Sequence, residues 1–134
     1  MKTAIDTSVL LAIFNGEAGG QAWLDVLVQA RREGLLVVCD VVYAELAPAF
    51  AAEDELGEAL RRLGVSFEAL VPAAAWLAGS CFRSYRDAGG PREHLIPDFL
   101  IAAHARTQAD RLAAVDRGYL RRYFADLPLL HPAS

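Results

Sequence analysis

The chain has 134 residues, 54% of them hydrophobic and 22% charged. Domains commonly run about 50–250 residues, so one domain over residues 1–134 is expected and intrinsic disorder is excluded. Thirteen basic residues against seventeen acidic ones leave a net charge of −4, which argues against a non-specific DNA binder. All the basic residues but Lys2 are arginine. That skew suits phosphate contacts, although a GC-rich coding bias would produce it as well.

Cys39 and Cys81 stand far apart in apolar stretches, and His94, His104 and His131 are scattered. A structural zinc site is therefore not expected. The apolar N-terminal run is interrupted at Asp6, short of the roughly 20 residues that a membrane span needs. It also lacks a cleavage signal, so a soluble, cytoplasmic protein without membrane contact is expected.

In chain order, Thr3-Ala4-Ile5 reads as a buried parallel strand ended by Asp6-Thr7-Ser8. Thr7 and Ser8 are read as caps of a helix through Val9–Phe14, which Asn15-Gly16 closes. Trp23, Leu24, Leu27 and Val28 form one stripe of a second helix, ending near Gly34. Leu35–Cys39 is a second strand. Asp40 caps a third helix, Val41–Ala51, with a kink or early end at Pro48. Asp54–Leu63 is a fourth helix, closed by Gly64.

Val65–Leu70 alternates and predicts a third strand, at an edge. Pro72 opens a long helix to about Asp87. Asp98–Gln108 is apolar almost all round and is expected to be buried. Leu112–Val115 is a fourth strand, Gly118–Phe124 a short helix, and Leu129-Leu130 a fifth strand. Strands alternating with helices predict an α/β fold: a three-layer sandwich around a mostly parallel sheet of four to five strands. Ligands of such sheets bind beyond the carboxyl ends of the strands.

Four acids occupy apolar contexts there. Asp6 follows the first strand, Asp116 the fourth, Asp98 opens the most hydrophobic helix, and Glu45 sits within Val-Val-Tyr-Ala-Glu-Leu-Ala. Each alone has a structural reading, as a turn, a helix start or an exposed face. Together, if the first and fourth strands are adjacent, they are expected to crowd into one negative cup. Crowded carboxylates must take up protons or a cation. Oxygen-only ligands select Mg²⁺ or Mn²⁺, and water on such an ion can attack a phosphodiester.

At these residues the sequence resembles the PIN-domain family, and more narrowly its VapC-type toxins of bacterial toxin–antitoxin pairs. AIDTSVLLAIF (Ala4–Phe14) is similar to the first family motif, VVYAELAPAF (Val41–Phe50) to the second, HLIPDFLIAAHA (His94–Ala105) to the third, and LAAVDRGYLRRYF (Leu112–Phe124) to the fourth. The resemblance spans nearly the whole chain. It implies a Mg²⁺- or Mn²⁺-dependent endoribonuclease that leaves a 5′-phosphate and a 3′-hydroxyl. Asp6 and Asp98 would hold the metal, with Asp116 and Glu45 completing the pocket directly or through water. Ser8 would orient a carboxylate or a water, or serve only as a cap. The family's fourth motif commonly carries Thr or Ser two residues before its acid, where this chain has Ala114.

An acidic pocket needs cations at its rim if RNA is to enter. Arg83, Arg86 and Arg92 surround Gly89-Gly90-Pro91, while Arg117, Arg121 and Arg122 follow Asp116. Arg117, Arg86 and Arg92 are the candidate phosphate contacts, solvated surface charge being the alternative. The resemblance further implies a cognate antitoxin with a basic tail, and a homodimer. Trp23, Trp76, Phe82 and Tyr85 could supply that interface or belong to the core. Two other readings compete. One is an inactive PIN-like module that binds RNA or a protein partner. The other is a phospho-acceptor protein with Asp6 as nucleophile, which expects a second Asp where Ser8 stands. No GxGxxG or GxxxxGK[ST] loop supports nucleotide binding.

Overall fold

A computed structural model of the chain describes residues 1–90 and 96–133. Arg92 and His94 lie outside the described residues. Five strands, β1 (Lys2–Ile5), β2 (Leu35–Val38), β3 (Val65–Phe67), β4 (Arg111–Ala113) and β5 (Leu129–Leu130), make one sheet in the order β3-β2-β1-β4-β5. All four pairings are parallel, and Ile5 stands opposite Ala113. Parallel neighbours need crossovers rather than hairpins, and helices supply them. Among the described residues these are α1 (Thr7–Phe14), α2 (Gly20–Glu33), α3 (Asp40–Leu46), α4 (Glu53–Leu63), α5 (Pro72–Asp87), α6 (Ile96–Gln108) and α7 (Tyr119–Tyr123).

Thr3, Ala4 and Ile5 of β1 are all buried, as are Leu36, Val37 and Val38 of β2. Successive strand side chains point to opposite faces, so both faces of the central strands are covered. This is the α/β sandwich predicted from the alternating pattern. β3 lies at an edge, with Ser66 and Phe67 exposed.

Several local expectations shift. β4 ends at Ala113, so Val115 is not in the strand, and β3 stops at Phe67, before Leu70. Thr7 and Ser8 do not cap α1: both lie inside it, and Asp6 takes the cap position without a side-chain cap bond. Pro48 ends α3 early, leaving a single 3-10 turn over Ala47–Ala49. The inward stripe of α2 is Gly20, Trp23, Leu27 and Ala30, whereas Val28 is 48% exposed. Gly20 is required there, because a Cβ on it would lie 2.5 Å from the Ala12 carbonyl oxygen of α1.

α6 packs against α5 and onto β4 and β1. Its Phe99 is fully buried, with the rings of Phe82, Tyr85 and Tyr119 each centred 5.3 Å away. Below it the buried His104 meets Glu68 Oε1 at 2.9 Å through Nε2, and the Lys2 ammonium pairs with the other Glu68 oxygen. Burial lowers the His104 pKa despite the Glu68 carboxylate beside it. Of the four candidate interface aromatics, Trp23 and Tyr85 are core, Phe82 is half-buried, and only Trp76 stands out, at 80% exposure. Among the described residues no helix is long and apolar enough to cross a membrane.

Candidate active site

β1 delivers Asp6 to the carboxyl edge of the sheet, and β4 anchors it there: the Asp6 N–H donates to the Ala113 carbonyl at 3.0 Å. The Asp6 side chain is only 16% exposed. Ser8 Oγ, one turn into α1, donates to Asp6 Oδ2 at 2.8 Å, and the Arg117 guanidinium lies 3.6 Å from the same oxygen. Burial pushes the Asp6 carboxyl above its ordinary value, and the charge of Asp98 adds to the rise. Ser8, Arg117 and the Thr7 N–H pull the other way without cancelling it.

Asp98 comes from the first turn of α6, the helix laid across β1 and β4. Glu45 comes from the exposed side of α3, and Thr7 Oγ1 donates to its Oε1 at 2.6 Å. The two hydroxyls expected to cap α1 therefore each hold a carboxylate of this group. Tyr119, the first residue of α7, sits among them. Burial raises its hydroxyl pKa first, and the charges of Asp98, Asp6 and Glu45 raise it further, against Arg117.

Asp116 is engaged by its own turn and the helix that follows it. Its Oδ1 accepts the Gly118 N–H at 2.9 Å, and its Oδ2 accepts Arg121 Nε at 2.9 Å and Nη2 at 2.6 Å. The Gly118 bond, then Arg121, holds its carboxyl below the ordinary value. The reason is geometric. β4 stops three residues short of Asp116, Gly118 turns the chain at φ 88°, and α7 brings Arg121 back onto the acid.

Among the described residues, no three His, Cys, Asp or Glu side chains come together closely enough to hold an ion as a set. The donors at hand still suit a hard dication, since Mg²⁺ is commonly bound by one or two carboxylates and completed by water. Asp6 and Asp98 are that pair, and Asp6 is under-neutralised, with one guanidinium at 3.6 Å as its cation.

Of the two candidate phosphate contacts among the described residues, Arg117 lies 3.6 Å from Asp6. Arg86 lies on the outer face of α5, its guanidinium 5.8 Å from the Phe82 ring centre. Sequence reasoning missed Tyr119 and the Thr7–Glu45 bond. The available signal was positional: a hydroxyl beside Asp6, and a tyrosine opening the helix that follows Arg117. A separate groove of about 780 Å³ lies away from the acids, floored by Ile13, Phe14, Leu24 and Leu63 and edged by Asp54 and Glu55.

No curated protein matches the sequence. Among solved structures the fold is similar to VapBC2 from Rickettsia felis bound to a DNA fragment from their promoter. The TM-score there is 0.73 at 15% identity, over 99% of this chain and 100% of that one. It is also similar to VapBC-1 from nontypeable Haemophilus influenzae (TM-score 0.67, 18% identity, 98% of each chain). A third similar structure is FitAcB from Neisseria gonorrhoeae (TM-score 0.62, 19% identity, 96% of each chain). These likenesses concern the fold. The sequence itself matches the PIN domain family model over residues 3–125, a span that includes Asp6, Glu45, Asp98 and the whole parallel sheet up to β4. By its sequence and its architecture, this chain belongs to the PIN domain family.

Proposed function

We propose that the chain is a Mg²⁺- or Mn²⁺-dependent endoribonuclease, the toxin of a type II toxin–antitoxin pair. The observation that carries this reading is the buried, under-neutralised carboxylate of Asp6 beside Asp98 at the sheet edge of a PIN domain. Asp6 and Asp98 would hold the ion, with Glu45 reaching it through water. Bound there, the ion supplies charge neutralisation and a water acidic enough to attack phosphorus. Ser8 and Thr7 hold the Asp6 and Glu45 carboxylates in place by the bonds described. Arg117, which neutralises part of the Asp6 charge, is free to swing its exposed guanidinium onto an incoming phosphate.

RNA incubated with the protein and Mn²⁺ or Mg²⁺ is expected to be cut to fragments with 5′-phosphates, and EDTA to stop the cutting. Asp6→Asn and Asp98→Asn are each expected to lower the rate by orders of magnitude. Full activity in both variants would overturn the assignment.

A second reading is favoured by the pairing of Asp116 with Arg121: a PIN-like module that binds RNA or a protein without cutting. The same assay decides it, since such a module would bind RNA yet show no metal-dependent cleavage. The proposed partners are the RNA substrate, a cognate antitoxin and a second copy of the chain. The similar VapBC structures support the antitoxin, whose basic tail would meet the acidic site. The exposed Trp76 offers apolar surface for self-association. Co-expression with the neighbouring reading frame, followed by sizing of the purified complex, tests both protein partners.

A further inference from the structure

The segment after β4 runs Ala114-Val115-Asp116-Arg117-Gly118-Tyr119. Its carboxylate is committed to Gly118 and Arg121, and it carries no hydroxyl before Tyr119. The charges of Asp98, Asp6 and Glu45 act on the Tyr119 hydroxyl, and two contacts fix its surroundings. Its near neighbour Arg117 reaches Asp6 Oδ2, while its own ring lies against Phe99, the residue next to Asp98, with centroids 5.3 Å apart and planes at 46°. Phe99 is fully buried in the aromatic cluster of α5, α6 and α7, so it fixes the plane of the tyrosine ring. The Asp116 turn starts α7 and thereby sets where that ring stands.

We propose that Tyr119 is a positioning residue of the acidic site, its hydroxyl donating a hydrogen bond that holds the Asp6–Asp98 pair in ion-binding geometry. Asp116 acts one step further back, by building the turn that places Tyr119, and not as a ligand. Two like charges held close repel. A neutral donor between them lowers that repulsion while leaving their outer lone pairs open, which a lysine or arginine in the same place would not. A tyrosine suits the position because its ring packs against Phe99 while its hydroxyl is the group on which the charges of Asp98, Asp6 and Glu45 act.

This inference rests on the nuclease reading above, and its test separates the two. Mn²⁺ binding to the metal-free full-length chain is measured by calorimetry for wild type, Tyr119→Phe and Tyr119→Leu, beside RNA cleavage and thermal melting. Tyr119→Phe keeps the ring against Phe99 and is expected to melt like wild type. Its Mn²⁺ affinity is expected to fall roughly tenfold, the scale of one hydrogen bond to a charged group. In cleavage, kcat is expected to fall with the KM for RNA unchanged. Tyr119→Leu is expected to lose the same affinity and to melt earlier.

Wild-type Mn²⁺ affinity and kcat in Tyr119→Phe would overturn the proposal while leaving the nuclease reading intact. So would a loss of affinity matched by a fall in melting temperature as large as that of Tyr119→Leu. A wild type that neither binds Mn²⁺ nor cuts RNA would overturn the nuclease reading and this inference with it.

Discussion

Burial and the charge of Asp98 both oppose ionisation of Asp6, so the folded, metal-free protein holds that proton more tightly than the unfolded chain does. A carboxyl whose folded pKa is raised stabilises the fold at low pH, and that contribution is lost as pH rises through the folded value. Asp6→Asn is therefore expected to raise the melting temperature by a few degrees at neutral pH in EDTA, with the gain disappearing on acidification. On the proposed function the same variant is expected to lose nuclease activity, so the two readouts should move in opposite directions. Asp116 behaves in the reverse sense. Its carboxyl is held down by Gly118 and Arg121, so its contribution is present at neutral pH and fades as pH falls through its folded value. Asp116→Ala is expected to loosen α7 and lower melting by a few degrees, since it removes the turn bond. Arg121→Ala is expected to cost less, because an exposed ion pair contributes only about 0–1 kcal/mol.

Elements bring these residues together, and they were unevenly legible. Apolar runs ended by aspartates marked the ends of β1 and β2 closely enough to place Asp6 at the carboxyl edge of the sheet. Asp98 at the head of the most apolar helix was equally plain, because a helix buried all round must start at the sheet rim if it crosses the strands. The end of β4 was less legible: the strand stops at Ala113 and not at Val115, and Arg121 on the following helix pairs with Asp116. Thr7 and Ser8 looked like caps because hydroxyls at a strand–helix junction usually are. With Asp6 in the cap position, they serve the carboxylates instead. Tyr119 was hidden by its type, since an aromatic residue in a short helix reads as core, and its ring is indeed core. Phe99→Ala tests how far the element matters. It is expected to cost about 3–5 kcal/mol, the price of truncating a buried aromatic, and chemical denaturation should read that loss directly.

At the scale of the whole molecule, the charge balance of −4 means that the proposed RNA binding would depend on local cations. Arg117 is half-exposed beside the acids, so Arg117→Ala is expected to weaken RNA binding and to reduce the salt slope by about one unit. An unchanged slope would return Arg117 to the ordinary surface. The other molecular property is acid sensitivity. His104 is buried and bonded to Glu68, which also holds Lys2 and Gln108, and burial lowers its pKa. The unfolded chain binds that proton more readily, so stability is expected to fall as pH drops through the ordinary histidine range. Melting curves between pH 7.5 and 5.5 should show the fall in wild type and a flatter response in His104→Gln.

The strand order carries one more consequence, for synthesis. β1 is made well before its sheet neighbour β4, which begins only at Arg111. Until β4 and α6 emerge and dock, Asp6 lacks both its backbone anchor and its companion Asp98. On the proposed function, a nascent chain would carry half an ion site until then, and the ability to cut RNA would arrive late and in one step. A partner translated alongside it would have that interval in which to be ready.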